Sequence, residues 1–300
     1  MLDKEDIAAD TATAAWPEAL LGSGVPPVLV SCHSACGPRD TNQDVATVLT
    51  LRTQAGPPLY AGVIADGMGG YEHGGLAAAL AVEAMAASLF NAALDGAESG
   101  TALDVWGAAL CDAIHAANQR VLAHAQAHPG SNGMGTTLTV ALLCEGMLHL
   151  GSVGDSRCYL FHDNTLEQLS HDDSFVQVLV DAGWLTPAEA ELHPRSHEIT
   201  RALGWPGDLD GLAITEHPLR PGDLIVLCSD GLWKGSADDI RRGCREFFRR
   251  PVTQSRLDRL SQTLVHKALE RGADDNTSVA LLGLCPGKES IQNTPNNEEK

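Results

Sequence analysis

Tyr60-Ala61-Gly62-Val63-Ile64-Ala65-Asp66-Gly67-Met68-Gly69-Gly70 is the stretch on which the reading of this chain turns. A short apolar run, β-branched at Val63 and Ile64, ends in Asp-Gly and further glycine, so the run reads as a buried strand. Asp66 then stands where the strand leaves the sheet. Gly67, Gly69 and Gly70 allow a sharp turn and a close backbone approach. Taken alone, the stretch is equally a strand followed by common Asp-Gly turn chemistry.

The same design recurs. Leu224-Ile225-Val226-Leu227-Cys228-Ser229-Asp230-Gly231 is another apolar run ending in Asp-Gly, and Asp274-Asp275-Asn276-Thr277 precedes the apolar run Ser278 to Leu282. A further carboxylate, Asp44, closes Arg39-Asp40-Thr41-Asn42-Gln43-Asp44, and Asp155 lies in Gly154-Asp155-Ser156-Arg157. Acids at several strand ends can converge on one point. Two carboxylates ~4 Å apart repel by about 4 kcal/mol at an effective dielectric near 20. Such a cluster calls for cations, and donors that are all oxygen suit Mg²⁺, Mn²⁺ or Ca²⁺ rather than zinc.

The remaining composition narrows the class. A chain of 300 residues holds one large domain or two small ones, and 44% hydrophobic residues supply a sizeable core. Aromatics are 4%, so that core is built of Ala, Leu, Val and Ile. A net charge of −19 argues against nucleic acid or an anionic membrane as partner. The sequence reads without an apolar run of about 18 residues, so no transmembrane helix is expected. The acidic start Met1-Leu2-Asp3-Lys4-Glu5-Asp6 lacks a signal-peptide pattern. The eight cysteines are scattered, with Cys111, Cys144 and Cys228 inside apolar runs, and read as buried free thiols of a reducing cytosol. Cys32-His33-Ser34-Ala35-Cys36 has no second ligand pair at finger spacing, which argues against zinc.

In chain order, residues 1–27 read as a flexible lead-in. Strands are expected at Val28 to Ser34 and Val45 to Leu51, followed by a turn at Gly56-Pro57-Pro58. Helices follow at His73 to Leu94 and Leu103 to His128, the latter closed by Pro129-Gly130. Thr136 to Leu143 and Met147 to Val153 form one hairpin about Glu145-Gly146. Arg157 to His162 and Leu166 to Leu169 form another about Asp163-Asn164. Phe175 to Ala182 is a short helix, and Thr186-Pro187 opens another with Thr186 as N-cap. Strands are expected at Leu212 to Thr215 and Asp223 to Ser229, helices at Ala237 to Arg249 and Leu257 to Arg271, and a last strand at Thr277 to Leu284. Residues 286–300 carry no apolar period and read as disordered. Helices segregated from hairpins point to an α+β fold in which helices cover packed antiparallel sheets. No glycine-rich loop of the P-loop or dinucleotide type is present in the sequence.

These motifs, in this order, resemble the type 2C metal-dependent serine/threonine protein phosphatases, specifically the bacterial members, from about Cys32 to Leu284. The resemblance rests on Arg39 to Asp44, Ala65 to Gly70, Gly135-Thr136-Thr137, Gly154 to Arg157, Cys228 to Gly231 and Asp275-Asn276-Thr277. It implies an α-β-β-α sandwich spanning 28–285, with a flap over about 174–204. It further implies that Asp66 bridges two metals, that the carbonyl of Gly67 binds the second, and that Asp230 and Asp275 bind the first. Asp155 resembles the ligand of a third, weaker ion shared with Asp230, and Asp44 would orient metal-bound water. Arg39 would hold the substrate phosphate, the alternative being an ion pair with one of the many acids.

The chemistry implied is attack of a metal-bridging hydroxide, with Mn²⁺ or Mg²⁺ as two core ions and a third weaker one. Gln43 stands where many members carry a Glu that touches a metal through water. Met68 stands where some eukaryotic members carry His, so no side chain is available there to protonate the leaving group. Cys228 and Ser229 read as packing residues, and His73, His171, His193 and His197 as solvated or capping ones. The function implied is a monomeric cytoplasmic phosphoprotein phosphatase acting on phosphoserine and phosphothreonine. Its partners would be a Hanks-type kinase and that kinase's substrates. The competing class, a non-catalytic phosphoprotein-binding pseudophosphatase, would be favoured by a lost ligand, and every direct carboxylate is present.

Overall fold

In a computed structural model, the structure describes residues 27–52, 57–69, 73–99, 104–205, 207, 209, 211–234 and 237–285. The lead-in 1–26, the Gly56 turn position, Gly70, Pro206 and the tail 286–300 lie outside the described residues. The elements in order are β1 (Val28–Ala35), β2 (Asp44–Leu51), β3 (Leu59–Met68), α1 (His73–Ser99) and α2 (Asp104–Ala127). There follow β4 (Gly135–Thr136), β5 (Leu138–Cys144), β6 (Met147–Val153), β7 (Arg157–His162) and β8 (Thr165–Gln168). Then come α3 (Phe175–Asp181), α4 (Pro187–Glu191), β9 (Thr215–Pro218), β10 (Leu224–Cys228), α5 (Asp230–Trp233), α6 (Ala237–Phe248), α7 (Gln254–Glu270) and β11 (Thr277–Leu284).

Among the described residues the strands form two antiparallel sheets, ordered β1-β11-β10-β7-β8 and β2-β3-β5-β6-β9, with β4 paired to the end of β3. Side chains of alternate parity explain why the layers stack. In β3, Leu59, Ala61, Val63 and Ala65 pack with α1 and α2, while Tyr60 and Ile64 face the other sheet. In β10, Leu224, Val226 and Cys228 pack with α6 and α7, while Ile225 and Leu227 face inward between the sheets. Three apolar layers therefore separate four structural ones, the expected α-β-β-α sandwich. Both hairpin turns have left-handed residues where the sequence placed them, Glu145-Gly146 at φ 48° and 81° and Asp163-Asn164 at φ 45° and 68°.

The two hairpins lie in different sheets, β6 in one and β7 in the other, and 154–156 cross between them. Three local expectations are corrected. The expected strand Thr136 to Leu143 is split at Thr137, which turns its hydroxyl toward β3. The strand expected at Leu212 to Thr215 begins at Thr215 instead, because Leu212 and Ile214 pack into the α1–α2 layer. Finally, His73–Asp95 is long and apolar enough to cross a membrane by length and composition. In the fold its Ala77, Ala81, Met85 and Leu89 are fully buried against β3 and α2, so that apolarity is spent on the core.

Candidate active site

Each acid is delivered by a separate element. Asp44 opens β2 and pairs in register with Asp66 on β3. Thr137 fixes Asp66 by accepting from its N–H at 2.9 Å and donating its own N–H to its carbonyl at 2.9 Å. Gly67 donates to the Gln43 carbonyl at 3.2 Å. A Cβ at Gly67 would stand 2.2 Å from the Gly74 carbonyl oxygen, so only glycine lets α1 begin this close to β3. Gly154, at φ 100°, makes the crossing that carries Asp155 inward, and the indole of Trp233 donates to the Asp155 carbonyl at 3.0 Å. Asp230 does not end in a loop: it opens the short helix α5 directly after β10. Asp275 precedes β11, its Oδ1 accepting from the Asn276 N–H at 2.8 Å.

These side chains surround a cavity of about 1430 Å³ lined by Arg39, Gln43, Asp66, Gly67, Asp155, Asp230 and Asp275, while Asp44 stands behind that wall. Ser196, His197 and Ile199 also line it, His197 from an exposed position, so that it is solvated as expected while facing the cavity. The segment carrying them folds back on itself through the Ser174–Ile199 bridge and the capping box of Thr186 with Glu189.

Burial pushes the Asp66 carboxyl well above the ordinary range, and Asp44, Asp230, Asp155 and Asp275 add to it in that order. Burial raises Asp44 to about 6 and, with Asp230, raises Asp155 to about 7. Asp275 is raised by burial as well. The sandwich thus forces together charges that repel, and it leaves Asp44 Oδ1 and Asp230 Oδ1 buried without a hydrogen-bond partner among the described residues. Oxygen donors held this way fit hard divalent cations. Among the described residues no three acidic, His or Cys side chains stand close enough to enclose one ion as they are. Two cationic side chains occupy part of the cluster instead. Lys234 Nζ lies 2.5 Å from Asp230 Oδ2, and Arg39 Nη2 donates to Asp275 Oδ2 at 2.7 Å. Burial works against the Lys234 ammonium, but Asp230, Asp155 and Asp66 hold its pKa above the ordinary value.

Sequence reasoning missed several supports. Ser229 is fully buried and is no packing residue: its hydroxyl donates to Asp44 Oδ2 at 2.8 Å and accepts from the Ser278 N–H at 3.0 Å. Asn276 donates to the Cys36 and Thr41 carbonyls and accepts from the Gln43 N–H, stitching the Arg39–Asp44 loop to β11. Lys234 was legible only as the fourth residue after Asp230, an i,i+4 pair that becomes visible once Asp230 is known to open a helix. The guanidinium of Arg157 stacks 3.4 Å over Trp233 while gripping both oxygens of Asp172, so it steadies the indole behind Asp155. His73, by contrast, meets the Ser131 hydroxyl, and His171 pairs with Asp181, both apart from the cavity lining. Of the cysteines, Cys144, Cys158, Cys228 and Cys244 are buried, Cys111 is half-buried, and all eight are free.

The family pattern for protein phosphatase 2C matches residues 39–271, which contains four of the five acids and ends just before Asp275. The chain belongs to the protein phosphatase 2C family. It is 38% identical over 230 residues to the serine/threonine protein phosphatase PstP of Mycobacterium tuberculosis, an alignment covering 75% of this chain and 41% of that protein. It is 33% identical over 227 residues to the serine/threonine phosphatase stp of Listeria welshimeri, covering 73% and 82%. This chain therefore spans about two fifths of the length of PstP. The sandwich superposes on the crystal structure of the PstP catalytic domain in complex with two manganese ions, with a TM-score of 0.68 and 30% identity, covering 86% of this chain.

Proposed function

We propose that this phosphatase domain removes phosphate from phosphoserine and phosphothreonine in proteins, using two Mn²⁺ or Mg²⁺ ions. The observation that carries the reading is the mutually repelling set Asp66, Asp155, Asp230 and Asp275 at one cavity, with Asp44 buried behind its wall. Asp66, the Gly67 carbonyl, Asp230 and Asp275 would hold the two ions, with Asp155 available to a third. When bound, such ions supply a Lewis acid and lower the pKa of water enough to provide a nucleophile at neutral pH. The chain's own contribution is position. Thr137 and Gly67 fix Asp66, and Asn276 fixes the loop carrying Arg39 and Gln43. Ser229 orients Asp44, whose free Oδ1 is a candidate acceptor for a water proton. Arg39, anchored through Nε to the Asp274 carbonyl, presents a planar fork suited to phosphate oxygens. In that role it would exchange Asp275 for substrate. Gln43 brings no charge to the wall, and Met68 can neither give nor take a proton, so its position supplies no general acid.

The partners would be phosphorylated proteins, among them a Hanks-type kinase and its substrates, met by a monomer in the cytoplasm. The eight free thiols support a reducing compartment. No observation favours the pseudophosphatase alternative. The test is phosphate release from matched phosphoserine, phosphothreonine and phosphotyrosine peptides with Mn²⁺. Turnover on the first two, with the third at least about tenfold slower, is expected. Equal or exclusive phosphotyrosine turnover would overturn the assignment.

A further inference from the structure

The chain carries −19 overall, yet nine of its 20 Lys and Arg fall in 237–271, against five of its 39 Asp and Glu. These residues are the α6–α7 pair, on the outer face of the β1-β11-β10-β7-β8 sheet. Between the two helices runs a groove of about 430 Å³ lined by Arg242, Arg250, Arg256, Arg259 and Lys267, with Glu246 the single acid. Arg256 is held there by the Pro251 and Glu246 carbonyls, and Arg242 pairs with Asp239. The side chains of Arg250, Arg259 and Lys267 have no hydrogen bond or ion pair among the described residues. A surface that gathers unpaired cations on a strongly acidic protein attracts anions locally.

The groove also leads somewhere. Arg256, Leu260, Thr263 and Lys267 follow one another at helical spacing along α7 and all line the groove. The next position of that stripe, Arg271, lines the active-site cavity. Arg259 and Arg271 are separated by about 18 Å of helix, at ~1.5 Å per residue. An extended peptide covers that distance in about six residues.

We propose that the α6–α7 groove docks a run of acidic side chains of the protein substrate, about six to ten residues from the phosphorylated one. The inference rests on the phosphoprotein reading given above. It adds a substrate class: phosphoproteins with an acidic run beside the phosphosite. Individual exposed ion pairs contribute little, but three cations acting together would lower KM by on the order of tenfold.

The test compares two phosphothreonine peptides that differ only in a run of five Asp/Glu or five Gln, placed on either side at that distance. With the full chain and Mn²⁺, the acidic run is expected to lower KM about tenfold with kcat unchanged, and 0.5 M salt is expected to erase the difference. Arg250→Glu with Arg259→Glu should abolish the preference while leaving kcat, the Gln-peptide KM and the melting temperature in place. If the double reversal fails to fold, Arg259→Gln with Lys267→Gln should halve the preference or more. Equal KM for both peptides would overturn this inference alone. No phosphate release from either would overturn the phosphatase reading and this inference with it. Charge-reversal-sensitive binding of single-stranded RNA, without binding of the acidic peptide, would refute this inference as well.

Discussion

Replacing Asp155 by Asn should stabilise the metal-free protein, and by an amount that depends on pH. Asp155 is almost wholly buried, and burial with the Asp230 charge pushes its carboxyl from 3.8 to about 7. The folded state therefore binds this proton more tightly than the unfolded chain does. Stability from this group is intact below about pH 4 and is lost progressively as pH rises toward 7. At ~1.4 kcal/mol per pH unit, the loss is roughly 4 kcal/mol at pH 8 and under about 2 kcal/mol at pH 5. Asn keeps the shape and carries no charge, so the variant should recover most of that loss. For a domain of this size it corresponds to a melting temperature raised by about 10 °C at pH 8, and by less than half as much at pH 5. Thermal unfolding followed by circular dichroism in EDTA at both pH values measures it. A variant no more stable than wild type at pH 8, or one with equal gains at both pH values, would refute the reasoning.

Three further outcomes follow from the same site. Asp66→Asn and Asp230→Asn should each lower kcat/KM on a phosphothreonine peptide by well over tenfold, more than ~1.4 kcal/mol of transition-state stabilisation, while the protein stays folded by circular dichroism. Residual turnover above a tenth of wild type would contradict their assignment. Ser229→Ala removes a hydrogen bond to the buried Asp44 carboxylate and orphans the Ser278 N–H, so urea unfolding should show a loss of about 2–4 kcal/mol. A loss under about 1 kcal/mol would mean that Ser229 is only packing. Arg39→Ala should raise KM for phosphopeptides several-fold with metal affinity, followed by titration calorimetry, unchanged. A fall in metal affinity instead would make the Arg39–Asp275 pair structural.

Much of this was legible because β-strands write their environment into alternation. Leu59 to Ala65 and Leu224 to Cys228 are apolar at every position because both faces are covered, and the carboxylate that ends each run is then conspicuous. The turn residues Glu145-Gly146 and Asp163-Asn164 were equally plain, since few residues accept a left-handed backbone. Connections between sheets were not legible: nothing in Gly154 to Ser156 says that β6 and β7 part company there. Nor were the supports of Ser229, Asn276 and Lys234, whose partners lie far away in sequence or depend on a one-turn helix that propensity does not announce. That the exposed His197 also lines the cavity was not legible, because a loop's return toward a cavity is a tertiary fact. The basic groove was hidden by averaging, because a net charge of −19 says nothing of where the cations sit.

The central claim, that five mutually repelling acids are assembled to hold cations for phosphate hydrolysis, is tested most directly by phosphate release from a phosphothreonine peptide. The protein is first stripped with EDTA and then assayed with and without added Mn²⁺. The account predicts no detectable release from the stripped protein and full recovery on addition of Mn²⁺. Equal rates with and without chelator would contradict it.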